Sequence, residues 1–210
     1  INKKTIDLNK KKKLISFVGK LNTAKGYDIF GKTIIKILNK YPKWSANVIG
    51  DEPREEFNFY HKNLNILGFK KHKDVLLNFE KTSIAVVCSR WNEPFGRTSL
   101  EASSRGCGVI ISNRGGLPET ITNGIILKDL SITSLFNEIE NLIKNPKFLK
   151  KLQIDSIKNF ILDDKYISKQ IDQCRQRSSS SILNIYKTKN LKNLKILHVT
   201  NFNERHNGRL

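Results

Sequence analysis

Apolar positions along the chain fall into two rhythms. Short, nearly continuous apolar runs occur at Leu14–Val18, Ser45–Ile49, Asn63–Leu67, Ser83–Cys88, Val109–Ile111 and Gly124–Leu127. The first three are ended by Gly19, Gly50 and Gly68. Runs of this length, bounded by glycine and polar turns, predict strands buried on both faces. Between them the apolar spacing widens to the helical period. Tyr27–Leu38 puts Ile29, Phe30, Thr33, Ile34, Ile37 and Leu38 on one face. His72–Glu80 turns Val75, Leu76 and Phe79 the same way. From Ser131 the pattern is helical only. A stripe of Leu135, Ile139, Leu142 and Ile143 stops near Asn145-Pro146, and helices follow over Pro146–Phe160 and Asp164–Tyr186. Ser178–Ser181 weaken the last without breaking it. Strands alternating with amphipathic helices predict an α/β fold, a Rossmann-like parallel sheet with helices on both faces, followed by helices.

The ends depart from this pattern. Residues 1–13 are polar, basic and aperiodic, and read as a linker or the end of a preceding domain. Residues 14–186 form the domain, 187–193 a basic linker, and 194–210 the start of a second, truncated module in which an apolar run restarts at Leu194. The chain begins at Ile1 and contains no Met, so it reads as a piece of a longer protein.

Composition changes the picture only in part. The 210 residues are 38% hydrophobic and 27% charged, suiting one soluble globular domain. The apolar runs are too short to span a bilayer, and the Lys-rich N-terminus lacks the apolar core of a signal peptide. Cys88, Cys107 and Cys174 are odd in number and lack metal-ligand spacing. Cys88 and Cys107 read as buried reduced thiols, which favours the cytoplasm. The net charge of +19 allows a polyanionic partner. Yet the lysines are scattered, without the aromatic interleaving of a single-strand binder, so no specific nucleic acid is expected. Attraction to phosphates remains, including a peripheral contact with head groups at the inner face of a membrane.

The candidate chemistry lies in Cys88–Thr120. A strand ends at Cys88, a polar turn follows, Pro94 opens a helix, and a second strand leads to a Gly-Gly-x-Pro turn. Glu93 precedes the helix and Glu101 lies inside it, with seven residues between them. Carboxylates at a strand's carboxyl end, beside the free N–H groups of a helix N-terminus, suit a nucleotide site. The turn after the first strand adds Lys20 and Lys25, a cradle for a diphosphate. Each feature has a plainer reading. Turn lysines are commonly solvated, and a carboxylate at a helix start complements the dipole. The loop is not a P-loop, because the closing Lys-Ser/Thr is missing. His61, His72, His198 and His206 read as surface or capping residues.

Taken together the segments resemble the C-terminal, donor-binding domain of retaining glycosyltransferases with the GT-B fold, family 4, the glycosyl transferases group 1. Glu93-Pro94-Phe95-Gly96 with Leu100-Glu101-Ala102 matches that family's E-x7-E motif. Gly19-Lys20 with Lys25-Gly26, Val48–Asp51, Leu67-Gly68-Phe69 and Gly115–Glu119 match its other motifs in order. The resemblance implies that Gly19, Lys20 and Lys25 hold the donor diphosphate and that Glu93 binds the transferred sugar. Glu101 would accept from the ribose hydroxyls. The N–H groups of Phe95, Gly96, Arg97 and Thr98 would face sugar and phosphate, with Phe69 and Lys70 against the base. Catalytic roles fall on Glu93, Lys20 and Lys25. No cofactor or metal is implied, since lysines stand where an Asp-x-Asp pair would hold a divalent ion. Lys20 replaces the family's usual Arg, keeping the charge and losing the two-pronged geometry. The implied partners are a nucleotide-sugar donor, an acceptor that is a glycan, a lipid-linked molecule or a protein, and an N-terminal domain in the same chain. The alternatives are another sugar-phosphate enzyme on the same fold, or a non-catalytic nucleotide- or polyanion-binding module.

Overall fold

The computed structural model describes residues 6–189. The expected module at 194–210 lies outside the described residues. The chain divides into two units, one ending at Tyr166 and the other beginning at Ile167.

The first unit is a six-stranded parallel sheet: β1 (Lys12–Val18), β2 (Ser45–Ile49), β3 (Leu64–Ile66), β4 (Thr82–Val87), β5 (Gly108–Ile111) and β6 (Ile125–Ile126). Their order across the sheet is β3-β2-β1-β4-β5-β6, so the fold expected from the alternation is the one observed. Successive strand side chains point to opposite faces, and this splits the core in two. On one face Ile15, Phe17, Val48, Ile84, Val86 and Ile110 pack with α1 (Tyr27–Lys40) and α4 (Ile132–Lys144). On the other, Ala85, Val109 and Ile111 meet Val75 and Phe79 of α2 (His72–Lys81) and Ala102 of α3 (Arg97–Ser104). Ile34, Ile37 and Leu38 of α1 are fully buried, each contributing about 1.5–3 kcal/mol. Helix α5 (Pro146–Lys158) starts on a proline, whose missing N–H costs nothing at a first helical position.

The link from β2 to β3 carries no helix. Phe57 and Phe59 cover that part of the sheet instead. Their rings stack 5.9 Å apart and meet Tyr27 of α1 edge-on at 5.6 and 5.5 Å. Under β2 and β3 the opposite face is polar. Asn65 donates to Asn47, Asn47 to Asn78, and Asn78 to Ser16, whose hydroxyl lies 2.7 Å from that of Thr82.

The stretch read as a linker over 1–13 is structured where it is described. Asp7 caps a short 3₁₀ turn (Leu8–Lys10), and Lys12 and Lys13 open β1. Between them the ammonium of Lys11 donates to the carbonyls of Phe79, Thr82 and Arg105 at 2.7–2.8 Å. It thereby ties together the ends of α2 and α3 and the start of β4.

The described residues of the second unit belong to α6 (Asp164–Lys189), which runs on through the serines at 178–181. Asp163 accepts the N–H of Tyr166 and caps the start of that helix. Arg175 and Asp172 pair along it at 3.5 Å. No helix among the described residues is long and apolar enough to cross a membrane.

Candidate functional site

The strand order reverses between β1 and β4. The chain leaves β1 toward β2 on one side and leaves β4 toward β5 on the other, which opens a crevice at their carboxyl ends. Two loops flank that crevice, 19–26 after β1 and 88–96 after β4.

The loops are bound to each other before any ligand is considered. Arg90 N–H donates to Ala24 O at 2.8 Å, and Trp91 N–H to the same oxygen at 3.2 Å. The Arg90 guanidinium grips both oxygens of Asp28, in the first turn of α1, at 2.6 and 2.7 Å, and also reaches Thr23 O. These bonds hold the Asp28 carboxyl below its ordinary range. The clamp fixes Lys25, whose own N–H is taken by Asn22 Oδ1 at 2.9 Å. Lys25 Nζ lies 2.5 Å from Glu93 Oε1, an ion pair joining residues 68 apart in sequence. Ser89 Oγ donates to the same carboxylate oxygen at 2.8 Å.

Glu93 is also held from behind. Its carbonyl accepts the N–H of Gly116 at 2.7 Å. Gly115 sits at φ 54°, and a Cβ there would lie 2.3 Å from Glu93 O. A Cβ on Gly116 would lie 2.6 Å from Pro94 O. The Gly-Gly turn after β5 is glycine because its backbone rests on the backbone that carries the carboxylate. This contact also moves the helix start. The sequence reading opens the helix at Pro94, whereas α3 begins at Arg97. A helix begun at Pro94 would direct the Arg97 N–H to Glu93 O. That carbonyl serves Gly116 instead, and Arg97 N–H turns to Phe95 O at 3.1 Å.

The result is a cleft of about 230 Å³ lined by Gly19, Lys25, Ser89, Glu93, Phe95, Gly96, Arg97 and Thr98 over a floor that includes Val87 and Leu117. The structure thus gathers seven of the expected residues around one space: Gly19, Lys25, Glu93, Phe95, Gly96, Arg97 and Thr98. Four others stand apart from the lining. Lys20 is exposed on the same loop and makes no ion pair among the described residues. Glu101 is buried in α3, with Oε1 3.0 Å from His72 Nε2 and 3.5 Å from Arg97 Nη2. Phe69 is 74% exposed in the turn after β3. Lys70 lines a separate hollow beside α2 with Asp74 and Lys81. The turns after the first three strands are nevertheless tied edge to edge, Gly19 N–H to Ile49 O and Gly50 N–H to Gly68 O, both at 3.0 Å.

Ser89, Arg90 and Asp28 line or brace the site and the sequence reading did not single them out, and His72, read there as a surface or capping residue, meets Glu101. Ser89 and Arg90 lie inside the stretch it emphasised, yet their partners are remote in sequence and no spacing rule points to them. Among the described residues no group of three or more His, Cys, Asp or Glu side chains gathers as a metal-binding set.

Comparison with known proteins agrees with this architecture. Spore coat protein SA of Bacillus subtilis (strain 168) is 32% identical over 158 residues, covering 67% of this chain and 42% of that protein. The chain thus spans less than half the length of that relative. The crystal structure of the C-terminal domain of a glycosyl transferase group 1 family protein (LpcC) from Francisella tularensis superposes with a TM-score of 0.62. It is 27% identical, and the match covers 69% of this chain and 82% of that one. Anabaena Alr3699/HepE, solved in complex with UDP and glucose, shares the fold with a TM-score of 0.67 at 20% identity, over 79% of this chain and 48% of its own. The family model of glycosyl transferases group 1 matches residues 1–159. Since that family model covers more than half of the chain, the chain belongs to the glycosyl transferases group 1 family.

Proposed function

We propose that this domain binds the nucleotide diphosphate of a sugar donor and that, in the whole protein, it transfers the sugar to an acceptor with retention of configuration. The observation that carries this reading is the Lys25–Glu93 pair inside the cleft at the first turn of α3. A donor entering there meets a cation, a carboxylate and the positive end of α3 in one small space. Its diphosphate draws the Lys25 ammonium, with the exposed Lys20 closing from the same loop. Glu93, released from Lys25 and still held by Ser89, accepts from hydroxyls of the sugar. Glu101, one turn into α3, accepts from the ribose hydroxyls.

The chemistry follows from where charge develops. The bond between the anomeric carbon and the phosphate oxygen breaks, and its electron pair stays on the leaving diphosphate. A fixed lysine and a helix N-terminus stabilise that charge more in the transition state than in the donor. The acceptor oxygen bonds to the anomeric carbon, and its proton passes to the leaving phosphate. Lysines supply the charge a divalent ion would otherwise carry, so transfer proceeds without metal. HepE, of the same fold, was solved with UDP and glucose, a ligand of the proposed class.

Calorimetry with UDP and GDP side by side tests the reading on the 210-residue chain. Lys25→Ala removes one charge-assisted contact, worth roughly 1.5–3 kcal/mol, so affinity falls about tenfold or more. Glu93→Ala spares the bare nucleotide and weakens the nucleotide sugar. Unchanged nucleotide affinity in Lys25→Ala overturns the cradle.

A further inference from the structure

We propose that His72 is a positioning residue of the nucleotide site. Its imidazole aims the buried carboxylate of Glu101 at the ribose hydroxyls. This inference rests on the ribose role of Glu101 proposed above.

Glu101 is only 6% exposed, and burying a carboxylate is costly unless it is hydrogen-bonded. Two groups reach it. His72 Nε2 lies at 3.0 Å, within hydrogen-bonding distance, and Arg97 Nη2 at 3.5 Å is a longer, solvent-exposed contact. Both meet Oε1. Among the described residues Oε2 receives no protein hydrogen bond, so it is the acceptor left for a ligand. Contacts to one oxygen restrict the rotation of the carboxylate and so bias the direction of the other.

The imidazole sits on a rigid element. His72 is the first residue of α2, directly after the turn that carries Phe69. Asp74 and Val75 donate their N–H groups to Lys71 O, and the buried Val75 and Phe79 side chains seat the helix against the sheet. The backbone position of His72 is therefore set by the packing of α2 on the sheet. His72 itself is exposed, so its imidazole contributes little to the core. Among the described residues its imidazole bonds the carboxylate that the reading assigns to ribose.

The test compares two substitutions of similar bulk, His72→Leu, which has no donor, and His72→Gln, which keeps an N–H donor. The readout is the affinity ratio between UDP or GDP, whichever binds tighter, and the matching 2′,3′-dideoxynucleotide, with Tm recorded alongside. A hydrogen bond to a charged acceptor corresponds to a preference for the ribonucleotide of about tenfold or more in the natural protein. His72→Leu should lower that ratio to within about threefold at nearly unchanged Tm, whereas His72→Gln should retain most of it. A wild-type ratio in His72→Leu, or equal ratios in the Leu and Gln variants, overturns the positioning role. Glu101→Ala separates the two layers. If it abolishes the ratio while His72→Leu does not, the ribose contact stands and the role of His72 fails. If Glu101→Ala leaves the ratio intact, the ribose assignment fails and the inference with it.

Discussion

Replacing Gly115 by Ala should damage the candidate site without touching any side chain in it. A Cβ at this position would lie 2.3 Å from Glu93 O, 2.7 Å from Glu93 N and 2.8 Å from Asn92 C. All three are backbone atoms and cannot rotate away. Restoring ordinary contact requires the two segments to part by about 1 Å. That opening strains the 2.7 Å Gly116 N–H bond to Glu93 O and carries the carboxylate away from Lys25 and Ser89. The φ of 54° adds a left-handed conformation costing about 1–2 kcal/mol for a residue with a Cβ. Together these give roughly 2–4 kcal/mol of destabilisation. For a domain of this size that lowers Tm by about 5–15 °C. Gly68→Ala is the control for stability. Its φ of 65° is similar, but a Cβ there meets nothing within 4 Å, so only the conformational cost remains. Calorimetric melting of both variants, with titrations of Gly115→Ala by UDP- and GDP-sugars, reads the outcome. A misplacement of about 1 Å at a binding group costs up to about 100-fold in function. Equal losses of Tm in the two variants, with nucleotide-sugar affinity of Gly115→Ala within about twofold of wild type, would refute the backbone contact as the device that places Glu93.

Other consequences are more local. Lys11→Met removes an ammonium that serves three carbonyls and that burial holds below the ordinary lysine pKa. Urea unfolding should show a loss of roughly 2–4 kcal/mol, and an unchanged midpoint would argue against the tie between α2, α3 and β4. Thiol titration of the native chain should label Cys174, which is exposed, and spare Cys88 and Cys107. Burial raises both of the latter, Cys88 to about 12, so prompt labelling of either before unfolding would contradict the packing. Glu140 is held at about 2, against 4.5, by Lys40, Tyr41 and Lys144. A depressed carboxyl stabilises the fold above its unfolded value and loses that contribution as pH falls through its folded value. The stability gap between wild type and Glu140→Gln should therefore be constant above about pH 4.5 and close toward about pH 2, and a gap that widens on acidification would reverse the assignment.

The chain itself determined the elements, because their signals are local. Ile29, Phe30, Thr33, Ile34, Ile37 and Leu38 lie on one face at helical spacing whatever surrounds them, and those positions are buried in α1. The apolar runs ended by Gly19, Gly50 and Gly68 became the adjacent strands β1, β2 and β3 for the same reason. The motif residues on the loops after β1 and β4 were also legible, since their types and spacing survive in one dimension. Tertiary structure decided which of them meet. Lys25 reaches Glu93 because β4 lies beside β1, on the side opposite β2. The same adjacency lets Arg90 clamp Asp28 from 62 residues away. The start of α3 moved to Arg97 because a glycine turn after β5 captured the carbonyl that an earlier helix start needed. His72, unremarkable by spacing, gained its role only when α2 and α3 packed together and brought a helix-opening imidazole against a buried carboxylate. Periodicity reports which face of an element is buried. Only the order of strands across the sheet and the packing of helices upon it bring together side chains that share no period.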